Sequence, residues 1–216
     1  NSLEDKRYIT FSYKDLKYLV SSYILPFHIN EDTNIKSIYE SIFNSFQSIS
    51  AILNKEQMNF ADVIRQWTFI EKVLDLEDYD NGLKQFYQVF NDVRSHFFKK
   101  VVFLNGFMSA TGIGANAGII STEILACKPI QNGDVKIIPI SNPRQINSFD
   151  YSQSKLIGTA LSNLSKKTTP KFERAKLVRN KKTYQLFISG TASVLGEDTA
   201  EIGNGVQQTK VTLENI

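Results

Sequence analysis

From residue 34 to residue 55 the apolar positions are Ile35, Ile38, Ile42, Phe43, Phe46, Ile49, Ile52 and Leu53. Steps of three and four predict an amphipathic helix. Asp32, Thr33 or Asn34 can cap it, and Glu40 stands too late for a capping box. The same spacing returns at Leu83, Phe86, Tyr87, Phe90, Val93 and Phe97, predicting a second helix. Elsewhere the period is shorter. Tyr8–Tyr13 alternates and is aromatic or β-branched, as is the Val63–Val73 stretch with Val63, Trp67, Phe69 and Val73, and both read as strands. The run VVFLNGF reads as a short strand leading into the glycine-rich SATGIGANAG, and GIISTEILACKPI reads as another strand. The order β, α, β, α, β, β is an α+β arrangement rather than a regular βαβ alternation.

The second half repeats the opening. FERAKLVRNKKTYQLFISGTASV reads as two strands around a turn at Arg179–Lys182. A helix follows, with Asn204 as cap and Val206, Thr209, Leu213 and Ile216 along one face. Such a helix needs a surface to cover its apolar side. The pattern therefore predicts two βαβ-type modules in tandem, the second incomplete. The first occupies residues 1–139; a linker and the start of the second occupy 140–216. Roughly 60–80 further residues would complete a second copy.

Composition narrows the function classes. Apolar residues make up 42% of the 216 positions and charged residues 22%, ordinary for a globular chain able to bury a core. The net charge of +3 is small, and the basic residues are dispersed apart from Arg179–Lys182 and Ser165–Lys167, so nucleic acid is not an expected partner. No apolar run approaches the length of a membrane span. The polar start NSLEDKRY does not read as a signal peptide, and the single cysteine, Cys127, excludes an internal disulfide. A cytoplasmic setting is the expectation. His28 and His96 stand in unrelated contexts, so with one cysteine no metal site is expected. There is no G-x-S-x-G elbow. Cys127, at the end of an apolar strand, reads as a packing residue rather than a nucleophile.

The glycine-rich stretch is the chemical question. Gly112 and Gly114 are followed by Gly118, one residue late for G-x-G-x-x-G, and the continuation IISTEILAC is strand-like. A dinucleotide loop needs a helix there, so the phosphate reading fails. Two readings stay open: a tight turn that only glycine fits, or a corner of a pocket for a carboxylate.

The residues also carry a resemblance. LFISGTASVLGED followed by QQTKVTLENI resembles the start of a YjgF/Rid-type domain. DVIRQWTFIEKV, FNDVRSHFF and SATGIGANAGIISTEILACK resemble a diverged earlier copy: the strand after the first helix, the second helix, and the corner with its closing strand. With NPRQ, FDYS and GTAS between and within the copies, most of residues 60–216 resembles the chorismatases, chorismate-cleaving enzymes of bacterial secondary metabolism.

That resemblance implies a small-molecule carboxylate as partner, no cofactor, and a monomer or trimer-like assembly. Cleaving the enol ether of a ring diacid requires cations for two carboxylates, best as guanidinium forks, and a carboxylic acid to protonate the methylene carbon. Arg94, Arg144 and Arg174 are the arginines to test. Arg94 is placed by spacing opposite Phe90 and Phe97, where a surface salt bridge with Asp92 is the ordinary alternative. Arg144 sits in a polar loop, and Arg174 starts a strand. Thr111 and Gly112 would line the carboxylate pocket, and Tyr151 would bond a carboxylate or a ring hydroxyl. Gly190, Thr191, Ala192 and Ser193 would form a corner, with Ala192 leaving room for the ring at a position where this family tunes its product by bulk. The resemblance puts the acid on the closing strand of the second copy, beyond Ile216. Glu123 is its counterpart in the first copy, and Glu197 is the nearest other acid. Two other functions fit less well: a Rid-like deaminase of enamines or imines, and a non-catalytic carboxylate-binding paralogue, the latter favoured by Met108 where the pattern usually has proline.

Overall fold

A computed structural model describes residues 8–26, 34–80, 82–115, 119–130, 135–180 and 183–216. His28, Asp32, Thr33, Gly118, Lys181 and Lys182 lie outside them. In chain order the elements begin with β1 (Tyr8–Tyr13), β2 (Leu16–Pro26), α1 (Ile35–Lys55) and β3 (Val63–Glu71). A small hairpin, β4 (Leu76–Asp78) with β5 (Leu83–Gln85), leads directly into α2 (Phe86–Phe98). Then come β6 (Ser109–Ala115), β7 (Ile119–Pro129), β8 (Val135–Ile140), β9 (Ala175–Asn180) and β10 (Thr183–Ile188). The two-residue strands β11 (Val194–Leu195) and β12 (Asp198–Thr199) precede α3 (Gly205–Glu214).

The chain is α+β, and its frame is a five-stranded sheet ordered β1-β2-β7-β3-β6. Only the β3–β6 pair is parallel; the other neighbours run antiparallel. Alternation sends Leu19, Ile70, Ile124 and Ala126 to one face, where α1 and α2 cover them. Asn34 caps α1, and Ser37 completes the capping box that Glu40 stood too late to form. The apolar stripe of α1 packs as predicted, with Ile35, Ile38, Ile42, Phe46, Ile49 and Leu53 buried. Phe46 meets the rings of Phe60, Phe90, Phe97 and Phe98. Truncating such a ring to alanine costs about 3–5 kcal/mol.

On the opposite face a three-stranded sheet, ordered β10-β9-β8, packs through Val178 against Leu16, Tyr18, Ile64 and Cys127. The Tyr18 hydroxyl donates to Gln185 Oε1 at 2.7 Å, joining the two sheets. The five-stranded sheet is thus a middle layer. The 139/140 boundary expected from sequence falls inside β8, which pairs with β9 and so goes with the second sheet. The succession β9, β10, α3 echoes β1, β2, α1. The Asn204 side chain caps α3, accepting from the Gln207 amide, while Val206 and Leu213 are 68% and 65% exposed.

Three departures from the sequence reading concern the site. The run Val101–Phe107 is not a strand. Gly106 takes the left-handed φ of +68°, and the Phe107 amide donates to Glu173 Oε1, so the segment folds into a corner. A Cβ on Gly106 would fall 2.4 Å from that same oxygen. In the glycine-rich stretch that follows, Gly112 and Gly114 are not in a turn: they lie within β6, hydrogen-bonded along β3. Leu83 belongs to β5, not to the helix.

Residues 141–174 cross over α2 and β6 with only one short helical turn, Ser148–Asp150. Buried anchors hold this crossing. Lys84 Nζ donates to Thr159 Oγ1 at 2.7 Å and to the Ala160 carbonyl at 2.6 Å. Gln88 and Asp92 of α2 both bond Thr168. Ser148 Oγ donates to the Phe172 carbonyl at 2.8 Å. The crossing thereby brings Gln145 and Tyr151 to the edge of β6.

Candidate functional site

A cavity of about 260 Å³ opens between α2, β6 and the segments around residues 145–151, 172–174 and 190–194. Small residues on β6 create it. Ala110 and Gly112 face α2, and a Cβ at Gly112 would stand 3.0 Å from Tyr87 Cε2. Glycine is therefore needed for close approach of the ring, not for backbone freedom. Beside these two residues the floor continues with Gln66 and Thr68 of β3, with Gln66 Nε2 donating to Thr68 Oγ1 at 2.9 Å. Phe90, Phe172 and Val194 supply apolar wall.

Two guanidinium groups enter the cavity from different elements. Arg94, on α2, is only 1% exposed. Its Nη2 donates to Asn91 Oδ1 at 2.7 Å, its guanidinium lies 4.8 Å from the Phe90 ring centre, and its Nε has no hydrogen-bond partner. Burial pushes it down to about 10, so it stays charged at neutral pH. No carboxylate pairs with it among the described residues. Asp92, the surface partner considered above, is itself buried and bonds Gln88 and Thr168 instead. Arg94 and Phe90 are four residues apart and so share a face of α2, which corrects the placement of Arg94 opposite Phe90.

Arg174 immediately precedes β9. Its Nη2 donates to the Tyr151 hydroxyl at 2.8 Å and to the Ile146 carbonyl, and its Nε is unpartnered. Gln145 braces the far side, donating to Thr191 Oγ1 and to the Val194 carbonyl, both at 3.1 Å. Thr111 Oγ1 accepts from the Gly190 amide at 2.8 Å and from Arg65 Nη2, pinning the 190–194 corner to β6.

Of the ten residues singled out from sequence, Arg94, Thr111, Gly112, Tyr151, Arg174, Gly190, Thr191 and Ala192 line this cavity. Arg144 and Ser193 do not. Arg144 pairs with Glu214 at 2.8 Å and lines a separate cavity of about 320 Å³ that Arg174 also borders. Ser193 Oγ is buried and turned to the Ala200 carbonyl at 2.9 Å. The two acids weighed from sequence also lie elsewhere. Glu123, on β7, accepts from Ser22 Oγ. Glu197 accepts from the Ser152 amide and hydroxyl, bonds that hold its carboxyl below the usual range. No aspartate or glutamate is among the described lining residues. Sequence reasoning missed Gln66, Thr68, Tyr87 and Gln145: three are uncharged polar residues in a strand or loop, and Tyr87 reads as one more apolar position of α2, so none signals locally a pocket assembled from distant segments.

No family model matches the chain. A 3-hydroxybenzoate synthase from Streptomyces hygroscopicus is 34% identical over 170 residues, covering 74% of this chain and 44% of that protein. A crystal structure of a chorismatase superposes with a TM-score of 0.67 at 21% identity, covering 98% of this chain and 55% of that one. The chain thus spans about half the length of the relatives it matches. A Mycobacterium tuberculosis member of the YjgF/YER057c/UK114 family aligns with 54% of the chain at a TM-score of only 0.34. The chain resembles the chorismatases in sequence and has their fold over its described length.

Proposed function

We propose that this chorismatase-like chain provides the substrate-binding half of a site that cleaves chorismate into pyruvate and a ring acid. The observation that carries the reading is Arg94: a guanidinium 1% exposed, facing a cavity, without a carboxylate partner among the described residues. A buried unpaired charge costs several kcal/mol, and an anionic ligand offsets that cost. Arg174 would take the second carboxylate of the same ligand, and the two arginines enter the cavity from separate elements. The apolar wall suits a six-membered ring between two charged ends.

The reaction such a site serves is acid-assisted. A proton is added to the enol-ether methylene. When water captures the oxocarbenium-like carbon, the hemiketal's hydroxyl proton passes to the ether oxygen as its bond to that carbon breaks, releasing pyruvate and a ring alcohol. When a ring hydroxyl captures it instead, that oxygen leaves its ring carbon as the carbonyl oxygen of pyruvate, the ether oxygen stays on the ring, and the ring loses a proton as it aromatises. The chain's residues bind, orient and exclude water. The proton donor is not among the described lining residues, so the reading assigns no catalytic acid to them. The domain division and a monomeric or trimer-like state remain part of the same proposal.

Titration calorimetry and thermal unfolding with chorismate test it. Chorismate is expected to raise the melting temperature of the chain by mass action, and Arg94→Met is expected to abolish the shift. Pyruvate release by the chain alone is expected to be absent. No stabilisation by chorismate overturns the binding assignment; rapid pyruvate release overturns the statement that the donor lies outside the cavity lining.

A further inference from the structure

The floor of the cavity carries chemistry that neither arginine explains. Gln66 and Thr68 are 2% and 1% exposed, yet both line the cavity, side by side with Ala110 and Gly112, their small register partners on β6. Both sit on β3, which β6 and β7 hold from either side, so their positions are fixed by strand pairing. The Gln66 amide nitrogen donates to Thr68 Oγ1, and this is the one side-chain hydrogen bond that either makes among the described residues. Gln66 Oε1 is left as an acceptor, and the Thr68 hydroxyl hydrogen is left without an acceptor. Buried polar groups are normally satisfied, and the capacity left over at the cavity floor indicates what completes it.

We infer that Gln66 and Thr68 read a hydroxyl group on the bound ring acid: the ligand hydroxyl donates to Gln66 Oε1 and accepts from the Thr68 hydroxyl. This rests on the cavity being the ring-acid site. A hydroxyl is the group that fits because it both gives and receives. A carboxylate has no proton to give and would face the lone pairs of Gln66 Oε1, and it already has the two guanidinium groups. An apolar ring edge would leave both floor groups unpaired at the cost of their desolvation. The pair is therefore a specificity determinant, selecting hydroxylated ring acids over their deoxy counterparts.

The test compares 3-hydroxybenzoate with benzoate by titration calorimetry on the chain. The wild type is expected to bind 3-hydroxybenzoate about tenfold more tightly, the worth of a well-made neutral hydrogen bond. Thr68→Val and Gln66→Met are each expected to erase that preference, read as the ratio of the two affinities in the same variant. Thr68→Ser keeps the hydroxyl and is expected to retain the preference, which separates recognition from damage to the strand. Equal affinity of the wild type for both acids, or a preference that survives Thr68→Val and Gln66→Met, overturns this inference alone. No binding of either acid to the wild type overturns the cavity reading with it.

Discussion

Arg174 Nη2 donates to the Tyr151 hydroxyl at 2.8 Å, and the guanidinium carbon lies 5.6 Å from the Tyr151 ring centre. The residues are 23 positions apart, so the bond ties the long crossing segment to the start of β9. It also fixes a flexible side chain in one orientation. An arginine held this way loses less conformational entropy when it engages a carboxylate.

Tyr151→Phe removes the acceptor and keeps the ring. Arg174 then retains the Ile146 carbonyl but loses its lateral brace. Affinity for chorismate is expected to fall about three- to tenfold. The melting temperature is expected to drop by no more than about 4 °C, since one partly exposed hydrogen bond is lost in a chain of this size. Calorimetry on both proteins checks the first figure and thermal unfolding the second. Unchanged affinity would show that Tyr151 does not position Arg174.

Arg94→Met makes the opposite kind of statement. Methionine keeps the contact with Phe90 and removes a buried charge that has no carboxylate partner among the described residues. The variant is expected to be as stable as the wild type or more so, because the desolvation cost disappears. Chorismate affinity is expected to fall at least about thirtyfold, as for loss of one partner of a buried charged contact. A protein that unfolds easily yet still binds would assign Arg94 a structural role instead.

How much of this was legible in sequence depends on how each element is buried. The stripe of α1 was readable because one face is in the core and the other in water. The start of β2 gave no alternation because both its faces are covered there: Leu16 and Tyr18 meet the second sheet while Leu19 meets the helices. β8 was obscured by Pro139, which an edge strand tolerates and a pattern search penalises. The arginines of the cavity stood out because guanidinium chemistry is specific. Gln66 and Thr68 did not, since nothing local to VIRQWTFIE shows that β6 would place an alanine and a glycine beside them.

Gly112→Ala tests that opening directly. The residue is in a strand with ordinary backbone angles, so alanine adds no backbone strain. Its methyl group would press on Tyr87 at 3.0 Å and push the ring toward the cavity. Stability is expected to change by less than about 1.5 kcal/mol, while binding of chorismate weakens about tenfold or more. Ring-acid affinity measured beside thermal unfolding separates the two, and undiminished binding would mean that the ligand does not lie against β6.

Lys176 lies outside the cavity and gives a prediction about pH. It is 0% exposed, and its Nζ donates to the carbonyls of Gly106 and Phe107, holding the corner that precedes β6. Burial lowers its pKa from 10.5 to about 8, against the opposing pull of Glu173. Below about pH 8 the lysine is charged in the folded and unfolded chain alike, and the folded protein carries the full cost of the buried charge. Between about pH 8 and 10.5 the folded chain releases the proton first, the unfolded state binds more protons, and stability attributable to this group rises with pH. Cys127 and Tyr18, both pushed up to about 12 by burial, act with the opposite sign at alkaline pH. The difference between wild type and Lys176→Met isolates the lysine. Denaturant unfolding at pH 7.5 and pH 10 is expected to show the wild type gaining on the variant by roughly 1–3 kcal/mol. A difference that stays constant, or that moves the other way, would mean that Lys176 keeps its proton in the folded chain and that its two carbonyl bonds outweigh its burial.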